Sequence, residues 1–409
     1  MPATARLRIA LLIAFLFLAT GLPTAIRAAD QPAPEIVPTE TLLLAEVTQN
    51  AVVGPPIGEA QPDAAGADQS IVVEPPATPP AIMEDIATLP LQSRLPAATG
   101  AQAYVIADVL FLQRDNQSTD QLLAASAGDA VLTTGQLQFP TQPALRLFYG
   151  SVNDSAAGWE IGYLGVWSMF GSRTAGGPDD VQAADPLALL VPEFNGRSTA
   201  RATYGSTLNS IEINTFTRAA DGGYCRTAAE PWRRCNGYCR GTFDWLAGFR
   251  WAGLDEQAAL AFGGSPASLA TGYAVRTSSN LFGGQLGVRG RADLQAWAVE
   301  GWVKAALAGS MLAQSQDPII DSITGDVYRS ARGSRTQTPG GIFDVGATLV
   351  YRLSDTWGLR FGYSMLWLTN VALAPDQFDF TADTEAGTRL DGNQTLWLGG
   401  ANLGLEARW

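Results

Sequence analysis

The sequence contains no histidine and a single lysine, Lys304, among its 409 residues. Without histidine the chain cannot build a Ser-His-Asp or Cys-His catalytic site, and it cannot bind zinc through imidazole. Only 16% of its residues are charged and the net charge is −13, whereas nucleic-acid-binding proteins present basic surfaces. The composition therefore argues against hydrolases of these types, against dehydrogenases built on ordinary acid–base chemistry, and against nucleic acid as a partner.

Long apolar runs are also missing, because no segment after the N-terminus reaches the roughly 20 apolar residues that a membrane helix needs. The chain is nevertheless 46% hydrophobic, and it contains 11 Trp, 10 Tyr, 16 Phe and 43 Gly residues. Its mean hydropathy of +0.05 is high for a soluble globular protein. The apolar side chains must therefore be distributed in some pattern other than a membrane helix.

The first 100 residues divide into two segments of different composition. Residues 1–29 resemble a secretory signal peptide, with Arg6 and Arg8 ahead of an apolar segment and small residues near the end for cleavage. Residues 30–100 hold half of the chain's 24 prolines, ten acidic residues against one basic residue, and no aromatic residue. Such a segment cannot bury enough apolar surface to offset the entropy of ordering, so we predict a disordered, acidic spacer. A membrane anchor at 1–29 and docking segments within the spacer are the alternatives.

Residues 101–409 show hydrophobic alternation with a period of two residues, which indicates β-strands. In one example, Phe343, Val345, Leu349 and Tyr351 occupy one face, while polar residues and glycine occupy most of the other. Ten segments have this pattern: 104–113, 144–149, 159–169, 207–216, 243–251, 282–289, 297–307, 344–352, 359–367 and 396–409.

The distribution of side chains over the two faces is the reverse of that in a soluble sandwich. One face is uniformly aromatic and aliphatic, whereas the other mixes glycine with Arg, Asp, Glu and Gln. This pattern is typical of a transmembrane β-barrel, which presents apolar residues to lipid and encloses a polar interior. We therefore predict an all-β fold, a single antiparallel transmembrane β-barrel over 101–409, with Trp and Tyr at the membrane interfaces. The core of a β-sandwich is the alternative.

The lengths of the links between these segments support a barrel. If the N-terminus lies in the periplasm, the first, third, fifth, seventh and ninth links should be long and the others short. The long links are 114–143, 170–203, 254–270, 313–340 and 370–394, and the short ones are 150–157, 290–295 and 353–356. The link 217–240 is long where a short one is expected, so ten strands are predicted and twelve remain open.

The last segment alternates up to the C-terminal aromatic residue, Trp409. A period-two strand that ends on an aromatic residue resembles the signal by which the outer-membrane assembly machinery recognises its clients, which usually carry Phe at this position. We therefore predict that Trp409 is an assembly signal, and that the assembly machinery and outer-membrane lipid are partners of the chain.

Several local strings resemble those of the BBP-type outer-membrane β-barrel protein family that is common in planctomycetes. The strings are 244–250 followed by Asp255 and Glu256; Leu208 with Ser210, Glu212 and Asn214; Thr277 with 280–287; 362–364 with Trp367; and 375–377 with Asp379. The resemblance covers about 101–409 and departs from the family at Ala374, where such proteins usually carry Arg. It implies an outer-membrane location, and it implies no established substrate or reaction.

Three cysteines, Cys225, Cys235 and Cys239, lie close together in the link 217–240. In an oxidising compartment we expect one disulfide and one free thiol, and the sequence does not determine which two cysteines pair. A metal site would need a fourth ligand, and no histidine is present to supply one. We predict no metal, no cofactor and no catalytic residue.

Charged residues on the polar face of the strands are predicted to point into the barrel. The principal ones are Arg146, Glu212, Arg250, Arg289, Glu300, Lys304 and Arg360, and a wider set adds Asp108, Glu160, Asp344, Glu406 and Arg408. They could line a permeation path, or they could form mutual ion pairs that plug the barrel, because buried charges need partners. Ten strands favour the plug, since eight-stranded barrels are filled by side chains and open channels are typical at sixteen strands.

Together these features predict a non-enzymatic outer-membrane β-barrel protein of the bacterial envelope, either structural or a narrow, porin-like pore, with its N-terminal spacer in the periplasm. A periplasmic partner for the spacer is left open. The sequence specifies neither the oligomeric state, nor a permeant solute, nor a ligand for the loops. The alternative from another class is a secreted soluble β-rich adhesin or surface-coat protein.

Overall fold

The computed structural model describes residues 102–115, 118, 120–153, 157–222, 239–263, 271–294, 296–321 and 324–409. The segments predicted as signal peptide (1–29) and spacer (30–100) lie outside these residues. No helix in the described residues is long and apolar enough to cross a membrane.

Within the described ranges the chain forms ten long strands and four short ones. In chain order they are β1 (Gln102–Asp115), β2 (Leu122–Ser126), β3 (Asp129–Thr133), β4 (Gln142–Val152), β5 (Ala157–Ala183), β6 (Arg197–Gly222), β7 (Cys239–Gly263), β8 (Thr271–Leu294), β9 (Trp297–Gln316), β10 (Ile319–Ile320), β11 (Val327–Arg329), β12 (Arg332–Arg352), β13 (Trp357–Val371) and β14 (Gln394–Arg408). Each of the ten predicted segments corresponds to one long strand.

The ten long strands close into a single antiparallel ring. The first strand, β1, pairs with β4 on one side and with the last strand, β14, on the other, so no long strand has a free edge. β2 and β3 extend the sheet from the far end of β5, and β10 pairs with β11. The prediction of a ten-stranded barrel is confirmed. The unexpectedly long link 217–240 joins β6 to β7, and the described ring contains no further strand pair there.

The two faces of the strands are arranged as the alternation predicts. Phe343, Val345, Leu349 and Tyr351 of β12 point outward and are each at least 37% exposed, whereas Val350 points inward and is fully buried. Outward aromatic residues form two girdles. One girdle contains Trp159, Trp245, Trp297 and Trp357, and the other contains Trp251, Phe282, Phe343, Trp367 and Trp397. An apolar band between aromatic girdles is the surface that a lipid bilayer requires.

Several strands continue well beyond the second girdle, toward the end of the barrel that carries the long links. We call this the long-link end, and the opposite end, where β1 starts and β14 finishes, the short-turn end. The predicted loop 170–203 is mostly strand, because β5 runs to Ala183 and β6 starts at Arg197. Here Ala200 and Ala202 point inward and are fully buried, while Arg201 is exposed. Outside the membrane the outward face meets water, so the alternation inverts and the lipid-facing pattern no longer detects the strands.

Short elements fill the long-link end with apolar side chains. The helix α1 (Leu187–Leu190) and the 3₁₀ turn Pro192–Phe194 bury Leu187, Val191 and Phe194, and the β2–β3 hairpin buries Leu123 and Leu132. These residues belong to one hydrophobic cluster that continues down into the barrel wall. The long-link end therefore has its own hydrophobic core.

Candidate functional site

The charged residues that the sequence places on the polar face all point into the barrel. Among the seven principal residues, six are at most 6% exposed, and the side chain of Arg289 is 15% exposed. They come from six different strands, with both Glu300 and Lys304 on β9, because each strand contributes every second side chain to the interior. The ring brings them together into a continuous network that fills the part of the barrel nearer the short-turn end.

Arg360 is the centre of one part of this network. Its guanidinium contacts three carboxylates, with N–O distances of 2.7 Å to Glu406, 3.2 Å to Asp108 and 3.2 Å to Glu300. Arg146 lies beside it and donates to Asp108 at 2.6 Å. A planar guanidinium has five N–H donors and can satisfy several carboxylates at once. Arg360 thereby joins β1, β9 and β14 across the interior.

Glu212 is the centre of a second part. The ammonium group of Lys304 lies 3.0 Å from its carboxylate, and the side-chain amides of Gln285 and Asn214 donate to it at 2.7 and 2.9 Å. The same ammonium group lies 4.7 Å from the centre of the Phe148 ring, in a cation–π arrangement. The only lysine of the chain is therefore held by a carboxylate and an aromatic face in the middle of the barrel.

Further pairs extend the second part toward the short-turn end, and a cation–π contact joins the two parts, since the Arg146 guanidinium lies 4.8 Å from the centre of the Trp302 ring. Arg289 lies 2.6 Å from Glu160, which also accepts a hydrogen bond of 2.6 Å from the Tyr104 hydroxyl. Asp344 accepts from Arg250 at 2.9 Å and from the indole of Trp302 at 2.7 Å. The polar interior is thus a network of hydrogen-bonded charges rather than a set of isolated pairs.

The network is almost neutral. Within the described strands its cations are Arg146, Arg218, Arg250, Arg289, Arg291, Lys304, Arg352, Arg360 and Arg408, and its carboxylates are Asp108, Glu160, Glu212, Asp244, Asp293, Glu300, Asp344 and Glu406. Each of these cations lies within 3.2 Å of a carboxylate oxygen. Nine cations therefore face eight carboxylates, so the formal charge of the network is close to zero.

Sequence reasoning missed several members of this network. The alternation could have identified Arg291, Asp244 and Arg218. Each lies an even number of positions from a predicted residue on the same strand (β8, β7 and β6), and therefore on the same face. The neutral partners Trp302 and Tyr104 could not be found in this way, because the pattern treats any aromatic residue as apolar. Their polar atoms bind Asp344 and Glu160.

Two small cavities lie along the network. They offer about 20 and about 30 Å³ for the centres of water molecules, and both are lined by Arg146, Phe148 and Asp344. A cavity holds a water molecule when this space reaches roughly 10–15 Å³. Each cavity therefore has room for one or two water molecules and for no larger solute.

Toward the long-link end an apolar layer follows the charged network, and a single buried ion pair follows that layer. Leu110, Leu366 and Leu398 are at most 5% exposed and belong to the layer. Beyond them Arg114 of β1 lies 2.6 Å from Glu256 of β7, and neither side chain is more than 1% exposed. The Tyr204 hydroxyl and Ser206 also hydrogen-bond to Glu256 there, at 2.8 and 3.1 Å.

The link between β13 and β14 closes the barrel above this ion pair. It was predicted as a long outer loop at 370–394, but its residues Leu373, Ala374, Phe378 and Phe380 are at most 7% exposed. Its first part folds down into the mouth, where the main-chain N–H of Ala374 donates to Glu256 at 3.0 Å. The link is as long as predicted, and its first part packs into the mouth instead of extending into solvent.

Comparison with known proteins gives one family. The family described as "Putative beta barrel porin-7 (BBP7)" matches residues 203–409, about half of the sequence. The chain belongs to this family. It is an outer-membrane β-barrel protein with a porin-like fold, and no curated protein sequence matches it.

Several solved structures align with most of this chain at low sequence identity. The outer membrane protease OmpT from Escherichia coli is 11% identical, with 76% of this chain and 97% of that chain covered and a TM-score of 0.43. A major outer membrane protein from Thermus thermophilus is 10% identical over 75% and 99% of the two chains, with a TM-score of 0.29. A mutant of the TodX monoaromatic hydrocarbon channel is 10% identical over 76% and 90%, with a TM-score of 0.24.

The strings that carry the family resemblance converge in two places in the fold. Glu212, Asn214, Arg250 and Gln285 meet in the charged network. Glu256 meets the link just before its 375–377 string. The resemblance therefore includes residues that hold the interior together, and not only residues that face lipid.

The structure does not test the roles predicted for the three cysteines and for Trp409. Cys225 and Cys235 lie outside the described residues, and Cys239 opens β7, so the disulfide stays a prediction. Trp409 exchanges main-chain hydrogen bonds with Ala103, which places the C-terminus beside the first strand, and its role in assembly also stays a prediction. Among the described residues no group of three or more Cys, Asp or Glu side chains could hold a metal ion.

Proposed function

We propose that this protein is a non-enzymatic, structural barrel of the outer membrane whose interior is filled and does not conduct. The observation that carries the proposal is the nearly neutral network around Arg360 and Glu212, in which every cation has a carboxylate partner. Breaking such a network to admit an ion would leave buried charges without partners, which costs about 3–5 kcal/mol per pair. The apolar layer and the seated link add two further obstacles along the barrel axis.

Conductance in planar lipid bilayers tests this proposal directly. The refolded full-length protein should give no current steps, even at a protein load at which a known porin gives many. Ohmic steps that scale with protein would contradict a filled barrel. A hydrolytic activity that disappears when Glu212 or Asp344 is replaced would contradict the non-enzymatic part of the proposal.

The single lysine provides an independent test of access to the interior. A small amine-reactive reagent should leave Lys304 unmodified in the folded protein and modify it fully after unfolding, since its side chain is only 5% exposed. The variant Arg335→Lys is the matched control, because residue 335 is exposed on the outward face and its amine should react in the folded state. Rapid modification of Lys304 in the folded protein would mean that water and reagents reach the interior.

A narrow pore is the second candidate function, and two observations favour it. The family description names a porin, and the two water-sized cavities share Arg146, Phe148 and Asp344 in their walls, so they lie next to each other. Small movements of these side chains would join them. Small, steady current steps together with reactivity of Lys304 in the folded protein would support this candidate over the filled barrel.

We propose that the short-turn end faces the periplasm and the long-link end faces outward. Bacterial barrels usually have short periplasmic turns and longer external loops, and the N-terminal spacer would then lie in the periplasm. In a background in which the three native cysteines are replaced by serine, Thr381→Cys at the long-link end should react with an impermeant maleimide on intact cells. Ser354→Cys at the short-turn end should react only after the cells are opened, and the reverse result would invert the orientation.

A further inference from the structure

The hydrogen bonds between the link 372–393 and the rest of the protein are made largely by the main chain of the link. In the described part of the molecule, nine of its main-chain N–H and C=O groups are hydrogen-bonded to side chains outside the link, at 2.5–3.1 Å. The side chains are Ser279, Glu256, Gln316, Gln121, Tyr273, Arg329 and Gln314. They come from β7, β8, β9 and β11 and from the link after β1, so they surround the mouth.

The deepest of these contacts uses the buried ion pair. The carboxylate of Glu256 lies 2.6 Å from the Arg114 guanidinium as an ion pair, and it accepts hydrogen bonds from the Tyr204 hydroxyl at 2.8 Å, from Ser206 at 3.1 Å and from the main-chain N–H of Ala374 at 3.0 Å. Burying two charges costs several kcal/mol of desolvation, and apolar residues would fill the same volume without that cost. A carboxylate that is fixed by three side chains and aimed at a peptide N–H is therefore better explained as a recognition group than as filling.

Two aromatic residues of the link provide contacts that depend on sequence. The ring of Phe378 lies 5.0 Å from the ring of Tyr273, and the ring of Phe380 lies 6.2 Å from it. Residues i and i+2 of an extended segment point to the same side, so the two Phe side chains enter the mouth together. The Tyr273 hydroxyl meanwhile accepts the N–H of Asp379, the residue between them.

We propose that the long-link mouth is a recognition site for an extended peptide that carries aromatic residues two positions apart, and that the chain's own link occupies this site. Main-chain contacts do not depend on the identity of the bound residues, so a second polypeptide can make the same contacts. The aromatic pair and the carboxylate of Glu256 supply selectivity. Because the link is attached to the barrel, its effective concentration is high, and an external peptide must compete with it.

The test uses the full-length protein and a fluorescent synthetic peptide with the sequence of residues 373–382. In the receptor variant Phe378→Ala/Phe380→Ala the link loses its aromatic contacts, so the peptide should bind at least about tenfold more tightly to this variant than to the wild-type protein. Adding Glu256→Gln to the receptor should weaken binding by about tenfold or more. A peptide in which both Phe residues are replaced by Ala is the control ligand and should not bind saturably.

Each other outcome overturns the proposal. Absence of saturable binding to the receptor variant would show that the link is a fixed part of the barrel. Binding that is unaffected by Glu256→Gln would show non-specific association with an exposed apolar surface. A heat-modifiable gel shift verifies that each variant retains the folded barrel.

A second measurement does not depend on folding of the receptor variant. In a background without the native cysteines, Ala374→Cys places a thiol on the link at a position that is fully buried. Excess peptide should raise the rate of maleimide labelling at this thiol several-fold, because it displaces the link, and the control peptide should not. An unchanged rate would contradict the proposal. Neither measurement involves conductance, so its failure is distinct from a failure of the filled-barrel function.

Discussion

At the scale of single residues, many charged side chains are buried inside the membrane-spanning barrel. Asp108 and Arg360 are at most 1% exposed, and they lie within a wall whose outer face contacts lipid. Such burial is tolerable only when each charge has partners, because an unpaired ion in this environment loses its hydration without compensation. The consequence is that the network should respond strongly to the loss of one member.

Replacing Arg360 by Met should be strongly destabilising. The substitution keeps an apolar side chain of similar length but leaves Asp108, Glu300 and Glu406 without their shared cation, so the free energy of unfolding should fall by about 3–5 kcal/mol. Urea unfolding in lipid vesicles measures this change. The control Arg335→Met removes an exposed arginine and should stay within about 0.5 kcal/mol of the wild type. Equal effects of the two substitutions would contradict a structural role for the network.

The seating of the link should depend on pH through Asp379. Partial burial raises the pKa of this carboxyl, but hydrogen bonds from Thr381 and Gly387 and the nearby Arg329 outweigh it and hold the pKa below the ordinary value of 3.8. A lowered pKa in the folded state stabilises the seated link above about pH 3.8, and this contribution is lost as the pH falls through the lowered value.

Hydrogen–deuterium exchange of the link amides, corrected for intrinsic rates, provides the measurement. Protection in 379–387 should decrease between pH 5 and strongly acidic pH in the wild-type protein. Asp379→Asn cannot ionise, so its protection should be lower at pH 5 and should change little with pH. Identical pH profiles for the two proteins would remove Asp379 from the explanation.

At the scale of strands and links, the sequence predicts most accurately the parts of the strands that lie in the bilayer. All ten strands were found from the period-two pattern, because within the apolar band one face must be apolar over its full height. The ends of β5 and β6 were missed because their outward residues, such as Arg201, face water. The packing of the link into the barrel mouth could not be predicted either, since Ala374 contacts Glu256 across 118 positions and no local pattern marks such a contact.

Substitutions on the lipid-facing side of β9 test where the membrane lies along the barrel. Val303 points outward between the two girdles and is 51% exposed. Arginine at this position would place a charge near the middle of the bilayer, so Val303→Arg should lower the free energy of unfolding by about 2–4 kcal/mol. Ser315→Arg on the same strand and face lies beyond the second girdle and should have an effect near zero. If both variants unfolded alike, the proposed position of the membrane would be wrong.

At the scale of the whole molecule, two different barriers lie one after the other along the barrel axis. Nearer the short-turn end lies the charged network, which encloses two water-sized cavities. Nearer the long-link end, the apolar layer, the Arg114–Glu256 pair and the seated link close the mouth. The interior charges were predicted from the strand pattern, whereas the second barrier was not, because it is assembled from links.

Because the two barriers lie in series, opening the charged network alone should be detected by chemical labelling of Lys304 and not by conductance. Phe148 lines both cavities and covers Lys304, so Phe148→Ala should join the cavities and make Lys304 reactive toward small amine reagents in the folded protein. The barrel should still not conduct, because the apolar layer and the link remain in place. The outward substitution Phe343→Ala removes a similar side chain from the lipid face and should leave Lys304 unreactive.

Replacing residues 373–392 by a short Gly-Ser linker removes the link from the mouth, leaves the apolar layer and the Arg114–Glu256 pair in place, and should also give a silent barrel, since the charged network remains closed. Only the combination of this deletion with Phe148→Ala should produce current steps in planar bilayers, and those steps should be small because Leu110, Leu366 and Leu398 still narrow the interior. Current from either single variant would show that one barrier alone holds the barrel closed. Silence of the combined variant, with Lys304 reactive and the heat-modifiable shift retained, would place the decisive barrier in the apolar layer between them.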